Sequence, residues 1–169
     1  PSFSHDGKHL SFISARHFAP QIGSFEWNYV VNRASGIYAL ALTKDAGNPF
    51  SVRNDEVSIK EAGNEDKKGK KDSEKDKEDK EESVKVNVDF DDLAERVIKV
   101  PVDDDNIQGV ISLKDRLLYV TSGAFYYGRS SDTKVALRSY DPKERKSEIL
   151  IEDLNEVEVS ADGQFALIS

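Results

Sequence analysis

This sequence predicts an all-β protein, because three observations indicate short antiparallel strands joined by tight turns. A pattern of turn plus apolar strand occurs three times, over residues 4–12, 112–120 and 160–168. Asp-Gly stands in the turn of the first and last copies, where Gly takes positive φ without steric cost. The last two copies begin 48 residues apart, close to the length of one four-stranded blade. The sequence therefore predicts a partial β-propeller of four-stranded antiparallel blades.

The first predicted blade, residues 1–106, is enlarged. Short apolar runs predict strands at 9–13 and 37–42, separated by a long connection that contains Pro and Gly. The strict alternation over 84–88 predicts a further strand, in a stretch that should end near Pro101 because proline cannot donate to a sheet ladder.

A charged insertion interrupts this blade over residues 61–83. Between Glu65 and Glu82 there are seven lysines and nine acidic residues among 18, and no apolar side chain. Such a segment buries too little surface to offset an ordering cost of about 1 to 2 kcal/mol per residue. The sequence predicts a disordered loop; an exposed helix with i,i+4 ion pairs is the alternative.

The second predicted blade covers residues 107–154, and residues 155–169 open a third. Asp115 stands where Gly7 and Gly163 stand in the other two copies, so we expect Asp115 to adopt the left-handed conformation there. The chain contains no Met and begins and ends inside copies of the repeated pattern. We therefore expect it to be a piece of a longer protein.

Composition excludes several classes of function. The formal net charge of −8 repels nucleic acid phosphate and anionic lipid, so neither a nucleic acid nor a membrane is an expected partner. No apolar run approaches the ~18 to 20 residues that a membrane span needs. With no Cys, the chain has no disulfide, no thiolate nucleophile and no Cys-ligated metal. We expect no cofactor.

The three histidines do not predict a catalytic centre. His5 and His9 belong to the first hairpin, and His17 follows in a loop. Serine catalysis needs a nucleophile within hydrogen-bond reach of a base. The sequence contains no Gly-x-Ser-x-Gly elbow that would place a serine beside His17. We expect these residues to have structural roles and the chain to be non-catalytic by itself.

Two acidic clusters are candidate cation sites. Asp103, Asp104 and Asp105 are consecutive, and Asp89, Asp91 and Asp92 lie close together. Clustered carboxylates suit Ca²⁺, but the spacing of an EF-hand loop, with its central Gly and terminal Glu, is absent. Solvated turns are the favoured interpretation, and no metal site is predicted.

Two aromatic groups are the candidates for substrate binding. Each group lies in the predicted connection between the second and third strands of its blade, so both should emerge at the same end of the propeller. Rings there could stack on peptide side chains, because aromatic residues dominate interfaces. Packing between blades is the favoured alternative, since burying such a ring stabilises by about 1.5 to 3 kcal/mol. The candidate residues are Phe25, Trp27, Tyr29, Phe125, Tyr126 and Tyr127.

Four segments carry a resemblance to a known family: FSHDGKHLSF at 3–12, FEWNY at 25–29, VDFDDLAERVIKVPV at 88–102 and YDPKERK at 140–146. Together they resemble the β-propeller region of tricorn proteases, in particular the second, seven-bladed propeller of the bacterial tricorn-like serine peptidases. The hairpin at 3–12 is shared with other propellers, whereas the aromatic segment and the DDLAERV motif are more specific. No catalytic motif of the family matches any position here.

The resemblance implies a scaffold in a serine peptidase that admits and sieves peptides or unfolded polypeptides. The implied partners are the remaining blades, a PDZ-like domain and catalytic domains of the same chain, in a homo-oligomer. It also implies a cytoplasmic location, with a periplasmic or exported one as the alternative. Two other interpretations stay open: a TolB-like propeller that binds proteins without enzymatic activity, and a prolyl-oligopeptidase-type enzyme with an α/β-hydrolase domain.

Overall fold

Among the described residues, the computed structural model contains two four-stranded antiparallel sheets and two two-stranded sheets. The structure describes residues 1–17, 20–22, 29–50, 84–124, 130–131 and 133–169, with only the backbone described at 21–22 and 29–30. This architecture confirms the predicted all-β fold and its four-stranded antiparallel sheets.

The first sheet has the strand order β1-β2-β5-β6. A short pair, β3 with β4, lies in the connection between β2 and β5, and a 3₁₀ helix at Leu93–Arg96 precedes β6. The strands of this half of the chain are β1 (Ser2–Phe3), β2 (His9–Ser14), β3 (Gln21–Ile22), β4 (Tyr29–Val30), β5 (Gly36–Ala41) and β6 (Val97–Lys99).

The second sheet is a simple meander in which each strand pairs with the next along the chain. A third, two-stranded sheet follows it. The strands of this half are β7 (Ile107–Ser112), β8 (Leu117–Thr121), β9 (Ala136–Asp141), β10 (Lys146–Glu152), β11 (Val157–Val159) and β12 (Ala166–Ile168). The blade boundaries at 106 and 154 stay predictions.

The second sheet is covered on both faces, which explains the continuous apolar run of β8. Successive residues of a strand point to opposite faces. Leu117 and Tyr119 belong to a core shared with Ile37 of the first sheet, and Leu118 belongs to a second core that is packed against Val157 of the third. A strand buried on both faces reads as an uninterrupted hydrophobic segment.

The outer edge of the second sheet is β10, all seven residues of which are exposed. The opposite edge strand, β7, makes contacts with β1, β2 and β5 of the first sheet. The sheets therefore approach one another along β7, with a small polar seam in which the Ser112 hydroxyl lies 3.0 Å from that of Ser11 and the Ser112 amide donates to the Ser2 hydroxyl at 2.9 Å.

The first and last copies of the repeated pattern form the same turn. In the first, the Ser4 hydroxyl donates to Asp6 Oδ1 at 2.6 Å and accepts from the His9 amide at 2.9 Å. Gly7 has φ 66°, and its amide donates to the Ser4 carbonyl at 2.9 Å. The left-handed conformation is one that only glycine adopts without cost.

In the last copy, Ser160, Asp162 and Gly163 occupy the equivalent places, with the Ser160 hydroxyl 2.5 Å from Asp162 Oδ1 and Gly163 at φ 69°. The hydrogen bond from Ser160, followed by that from the Gln164 amide, lowers the pKa of the Asp162 carboxyl. In the first turn, burial opposes the same effect, yet the bonds from Ser4 and Lys8 still leave the pKa of Asp6 lowered. The carboxylate form is therefore part of the turn.

The middle copy departs from the expectation for Asp115. Positive φ among the described non-glycine residues occurs at Arg33, Asp92, Arg145 and Asp153, and not at Asp115. The Leu113 amide donates to the Arg116 carbonyl at 2.9 Å, which adds one pairing inside the hairpin. The loop shrinks to two residues, so no residue has to stand where Gly7 stands, and the prediction of a left-handed Asp115 is wrong.

The strand predicted over 84–88 is also wrong: these residues belong to no strand. Both edges of β5, the strand that precedes them in this sheet, are already occupied by β2 and by β6. The segment instead runs past the first turn, where a Cβ added at Gly7 would lie 2.7 Å from a methyl group of Val84. Alternating valines predict a strand only where a partner edge is free.

Arg96 of the DDLAERV motif holds the returning chain to the end of β5. Its guanidinium donates to four carbonyl oxygens, two after the charged insertion and two at the end of the strand. The bonds reach Asp91 at 2.6 Å, Ala41 at 3.0 Å and Leu42 at 3.4 Å, and Asp89 as well. A planar fork with five donors suits this task, and a lysine ammonium does not.

We expect acid to weaken the fold below the ordinary Asp pKa of 3.8. The pKa of Asp6, Asp45, Asp141 and Asp162 is lowered in the folded chain, so their stabilising effect is present above that value and is lost as pH falls through the folded pKa. Urea unfolding between about pH 6 and about pH 2.5 measures this.

The double variant Asp6→Asn, Asp162→Asn keeps an acceptor oxygen in each turn but removes the titration. It should lose less stability on acidification than the wild type. Asp103→Asn is the control, because Asp103 is exposed and accepts no hydrogen bond from the described residues. An acid response identical in the double variant and the wild type would contradict the role of these carboxylates.

A second expectation concerns Arg96. Arg96→Lys should lower the free energy of unfolding by about 1 to 3 kcal/mol, because one ammonium cannot serve four carbonyls. Arg116→Lys is the matched control, since Arg116 is exposed in a turn and should change stability by less than about 0.5 kcal/mol. Equal effects of the two substitutions in denaturant titrations would show that the fork geometry of Arg96 is unimportant.

Candidate functional site

The described residues of the two long connections, which run over 15–35 and 122–135, lie at the same end of the sheets. The Ser35 and Asp105 backbones form an antiparallel bridge, and the Ser122 amide donates to the Asn106 carbonyl at 3.0 Å. The segment between β6 and β7, which contains Asp105 and Asn106, thus lies between the two connections. This arrangement follows from the topology, because each connection joins the second strand of its sheet to the third.

The side chain of Asn106 forms hydrogen bonds with both connections. Its Oδ1 accepts from the Arg33 amide at 2.9 Å, and its Nδ2 donates to Asn32 Oδ1 at 2.7 Å and to the Ser122 carbonyl at 3.4 Å. One amide therefore serves both connections, as a donor and as an acceptor.

A polar cleft of about 450 Å³ opens beside Asn106. It lies between the two connections and the ends of β8 and β9. Its lining is mostly hydrophilic and includes Arg33, Asn106, Ser122, Lys134, Arg138 and Glu152.

The second connection passes close to itself at the mouth of this cleft. A Cβ added at Gly123 would lie 1.8 Å from the Ser131 hydroxyl and 2.8 Å from the Thr133 carbonyl oxygen. Because a contact under 3.0 Å forces displacement, only glycine fits there, and Gly123 fixes the path of the connection.

Of the three described cations that line the cleft, two have carboxylate partners. Lys134 Nζ lies 2.5 Å from Asp153 Oδ2, and this hydrogen bond, with the attraction of the same charge, raises the pKa of Lys134. Arg33 Nε lies 3.8 Å from Asp105 Oδ1. Arg138 differs: its described hydrogen bond runs from Nε to the Thr121 hydroxyl, at 3.1 Å.

The aromatic candidates fall largely outside the described residues. Five of the six candidates are not among the described residues: Phe25, Trp27, Phe125, Tyr126 and Tyr127. The backbone of Tyr29 is described, in β4 opposite Ile22. Their assignment to substrate binding stays a prediction; of the two connections, the described residues Asn32, Arg33 and Ser122 lie close together at Asn106.

The acidic clusters engage protein groups. Asp104 Oδ2 lies 2.8 Å from Lys99 Nζ and 3.2 Å from His17 Nε2. Asp89 Oδ2 accepts from the Lys44 amide at 3.0 Å, and Asp92 has φ 54° at the start of the 3₁₀ helix. Among the described residues, no group of three or more His, Cys, Asp or Glu side chains is arranged to hold a metal ion.

The histidines make structural contacts. His9 Nε2 lies 3.0 Å from the Gly47 carbonyl oxygen, His17 pairs with Asp104, and His5 is exposed. In the part of the chain that is described, no serine hydroxyl lies within hydrogen-bond distance of a histidine ring nitrogen. No helix found there is long and apolar enough to cross a membrane.

All 169 residues match the family model described as the tricorn protease second beta propeller domain. The chain belongs to this family. The match covers both sheets, both connections and the DDLAERV motif, so the expected membership is confirmed.

Similar proteins agree with this membership. The chain is 26% identical over 99% of its length to a tricorn protease homolog 1 of Streptomyces coelicolor, of which it covers 16%. It is 24% identical over 99% of its length to a tricorn protease homolog of Saccharolobus solfataricus, of which it covers 14%. The chain therefore spans about one sixth or less of these relatives.

A solved structure supports the fold. The crystal structure of the tricorn protease superposes with a TM-score of 0.68 at 21% identity, over 99% of this chain and 14% of that one. At this identity the likeness concerns the fold alone.

Asn106 and Arg138 were missed by the sequence analysis. Asn106 follows three aspartates and reads as part of a polar turn. Arg138 gave a usable signal, because it is the one charged residue in the predicted strand 135–140, where both faces of a blade in this propeller family are expected to be covered.

We expect Asn106→Ala to loosen the two connections together. It removes three hydrogen bonds and leaves the Arg33 amide without its partner, so the free energy of unfolding should fall by about 1 to 3 kcal/mol. Limited proteolysis should cut within 15–35 and 122–135 faster. Asn155→Ala is the control, because Asn155 is exposed. Faster cutting in only one connection would contradict the shared anchor.

Proposed function

We propose that this chain is a non-catalytic wall segment of the second propeller of a tricorn-like serine peptidase. In this proposal it admits and selects peptides that domains elsewhere in the protein hydrolyse. The observation that carries the proposal is the second sheet, which is covered on one face by the first sheet and on the other by the third. Sheets stacked in this way form a curved wall around a channel.

The chemistry of the described residues supports a structural role for the segment itself. His9 and His17 contact a carbonyl and a carboxylate instead of a nucleophile, and Ser4 and Ser160 are committed to turns. Because nucleophilic catalysis needs an activated hydroxyl beside a base, the reaction belongs to other parts of the protein.

Selection in this proposal is passive. A narrow channel passes short or unfolded peptides and excludes folded proteins, and the net charge of −8 favours basic peptides through long-range attraction. The partners are peptide substrates, the remaining blades, the PDZ-like and catalytic domains of the same chain, and further copies of the protein in a cytoplasmic homo-oligomer.

The six aromatic residues named above are the proposed peptide contacts. The anchoring of both connections at Asn106 supports a shared surface, because it brings the chain segments that flank the two aromatic groups to one end of the sheets.

Hydrolysis assays on the full-length protein test this function. We expect it to hydrolyse basic peptides faster than acidic peptides of equal length, with a preference that shrinks as salt screens the charges. We expect no cleavage of a folded protein. His17→Asn should leave kcat unchanged, and the isolated 169-residue chain should cleave nothing.

Loss of turnover in His17→Asn would contradict the non-catalytic role. Equal hydrolysis of folded and unfolded substrates would contradict sieving. A full-length protein that binds other proteins but hydrolyses no peptide would favour the alternative, a TolB-like binding module.

A further inference from the structure

Arg138 lies on the face of β9 that packs between the first two sheets. The neighbouring residues of β9 on this face are buried. Ala136, Arg138 and Tyr140 are alternate residues of β9 and share a face. Tyr140 is fully buried in the core with Ile37 of the first sheet, and Ala136 is buried as well. Arg138 is partly buried on the same face and lines the polar cleft.

Among the described residues, Arg138 has a hydrogen-bond partner but no ion-pair partner. Its Nε donates to the Thr121 hydroxyl, and in the part of the chain that the structure describes no carboxylate forms an ion pair with it. A partly buried cation without a counter-charge is unfavourable unless something supplies one. Arg33 and Lys134, in the same cleft, already have partners.

The bond to Thr121 fixes the direction of the guanidinium. With Nε engaged at 3.1 Å, the two terminal nitrogens, which bond to no other described residue, form a pair of parallel donors. This is the geometry that binds a carboxylate through both of its oxygens. Thr121 is itself buried, so it holds the guanidinium from the strand beside β9.

We propose that the cleft between the two connections is a carboxylate-binding site, with Arg138 as the residue that binds the carboxylate. A singly charged planar group matches the one guanidinium that lacks an ion-pair partner among the described residues of the cleft. A phosphate dianion does not, because Glu152 lines the same cleft and would repel a second negative charge. The ligand is a peptide, bound through its C-terminal carboxylate or through an acidic side chain.

That the carboxylate comes from a peptide rests on the proposed function, whereas the site itself rests on Arg138 and the cleft. The site also refines the selection proposed above. Overall charge favours basic peptides in solution, but a single guanidinium would orient the one carboxylate that every unmodified peptide carries at its end.

Binding to the full-length protein tests the site. The probes are three tripeptides of D-amino acids, which avoid hydrolysis: D-alanines with a free C-terminal carboxylate, the same peptide as an amide, and an amide with one D-aspartate. By calorimetry, we expect a free carboxylate to bind about tenfold more tightly than the amide. Comparison of the first and third probes tells which source of carboxylate the site prefers.

Three variants assign the effect to the cleft. Arg138→Gln should reduce carboxylate binding to the level of the amide, and Arg138→Lys should retain only part of it because it loses the fork. Glu152→Gln, on the exposed edge strand, should strengthen binding about threefold by removing a competing charge. Arg116→Gln is the matched control, since Arg116 lies at the other end of β8.

Equal binding of carboxylate and amide probes to the wild type would overturn the proposal, as would unchanged carboxylate binding in a folded Arg138→Gln variant. If that variant does not fold, Glu152→Gln decides: unchanged affinity counts against the site. These tripeptides are small enough to pass any channel, so failure here leaves the sieving experiment intact, and failure of sieving leaves this result intact.

Discussion

Coverage of both faces of each sheet is the constraint on which the rest of this structure depends. A four-stranded sheet with apolar residues on two faces is unstable alone, because each exposed Leu or Ile forgoes about 1.5 to 3 kcal/mol of burial. The second sheet meets the condition through Ile37 and Val100 on one face and Leu154 on the other. Phe3 and Leu167, at the two ends of the series, stay 54% and 72% exposed. Stacking of one sheet on the next therefore sets the fold.

The two ends of the sheets are used differently. At one end the Ser-x-Asp-Gly turns satisfy their own donors through Asp6 and Asp162, so they close hairpins without help from the rest of the molecule. At the other end the connections are long, and they depend on Asn106 for their positions. Short self-sufficient turns tolerate little variation, whereas long connections on a rigid scaffold are where binding residues are usually found.

Local signals and missing partners explain what the sequence could and could not predict. The hairpins at Gly7 and Gly163 were predictable because their turn chemistry is local. The strand at 84–88 was not, because pairing depends on whether β5 has a free edge, and alternation carries no information about that. Asp115 was misjudged because the extra pairing between Leu113 and Arg116 lies outside the pattern. The aromatic candidates lie mostly outside the described residues, and the site at Asn106 needed contacts between residues 73 and 74 positions apart.

Arg96 and Arg138 show how the same residue type serves stability and recognition. The guanidinium of Arg96 donates to four carbonyl oxygens. These bonds hold the segment that follows the insertion against the end of β5. Among the described residues, Arg138 bonds through its Nε alone, so its two terminal nitrogens have no partner there. A guanidinium that bonds to four carbonyl oxygens of the fold can be replaced only at a cost in stability. A guanidinium such as that of Arg138, which one hydrogen bond orients, can instead bind an anionic ligand. In the proposed site, that ligand enters through the cleft beside Asn106.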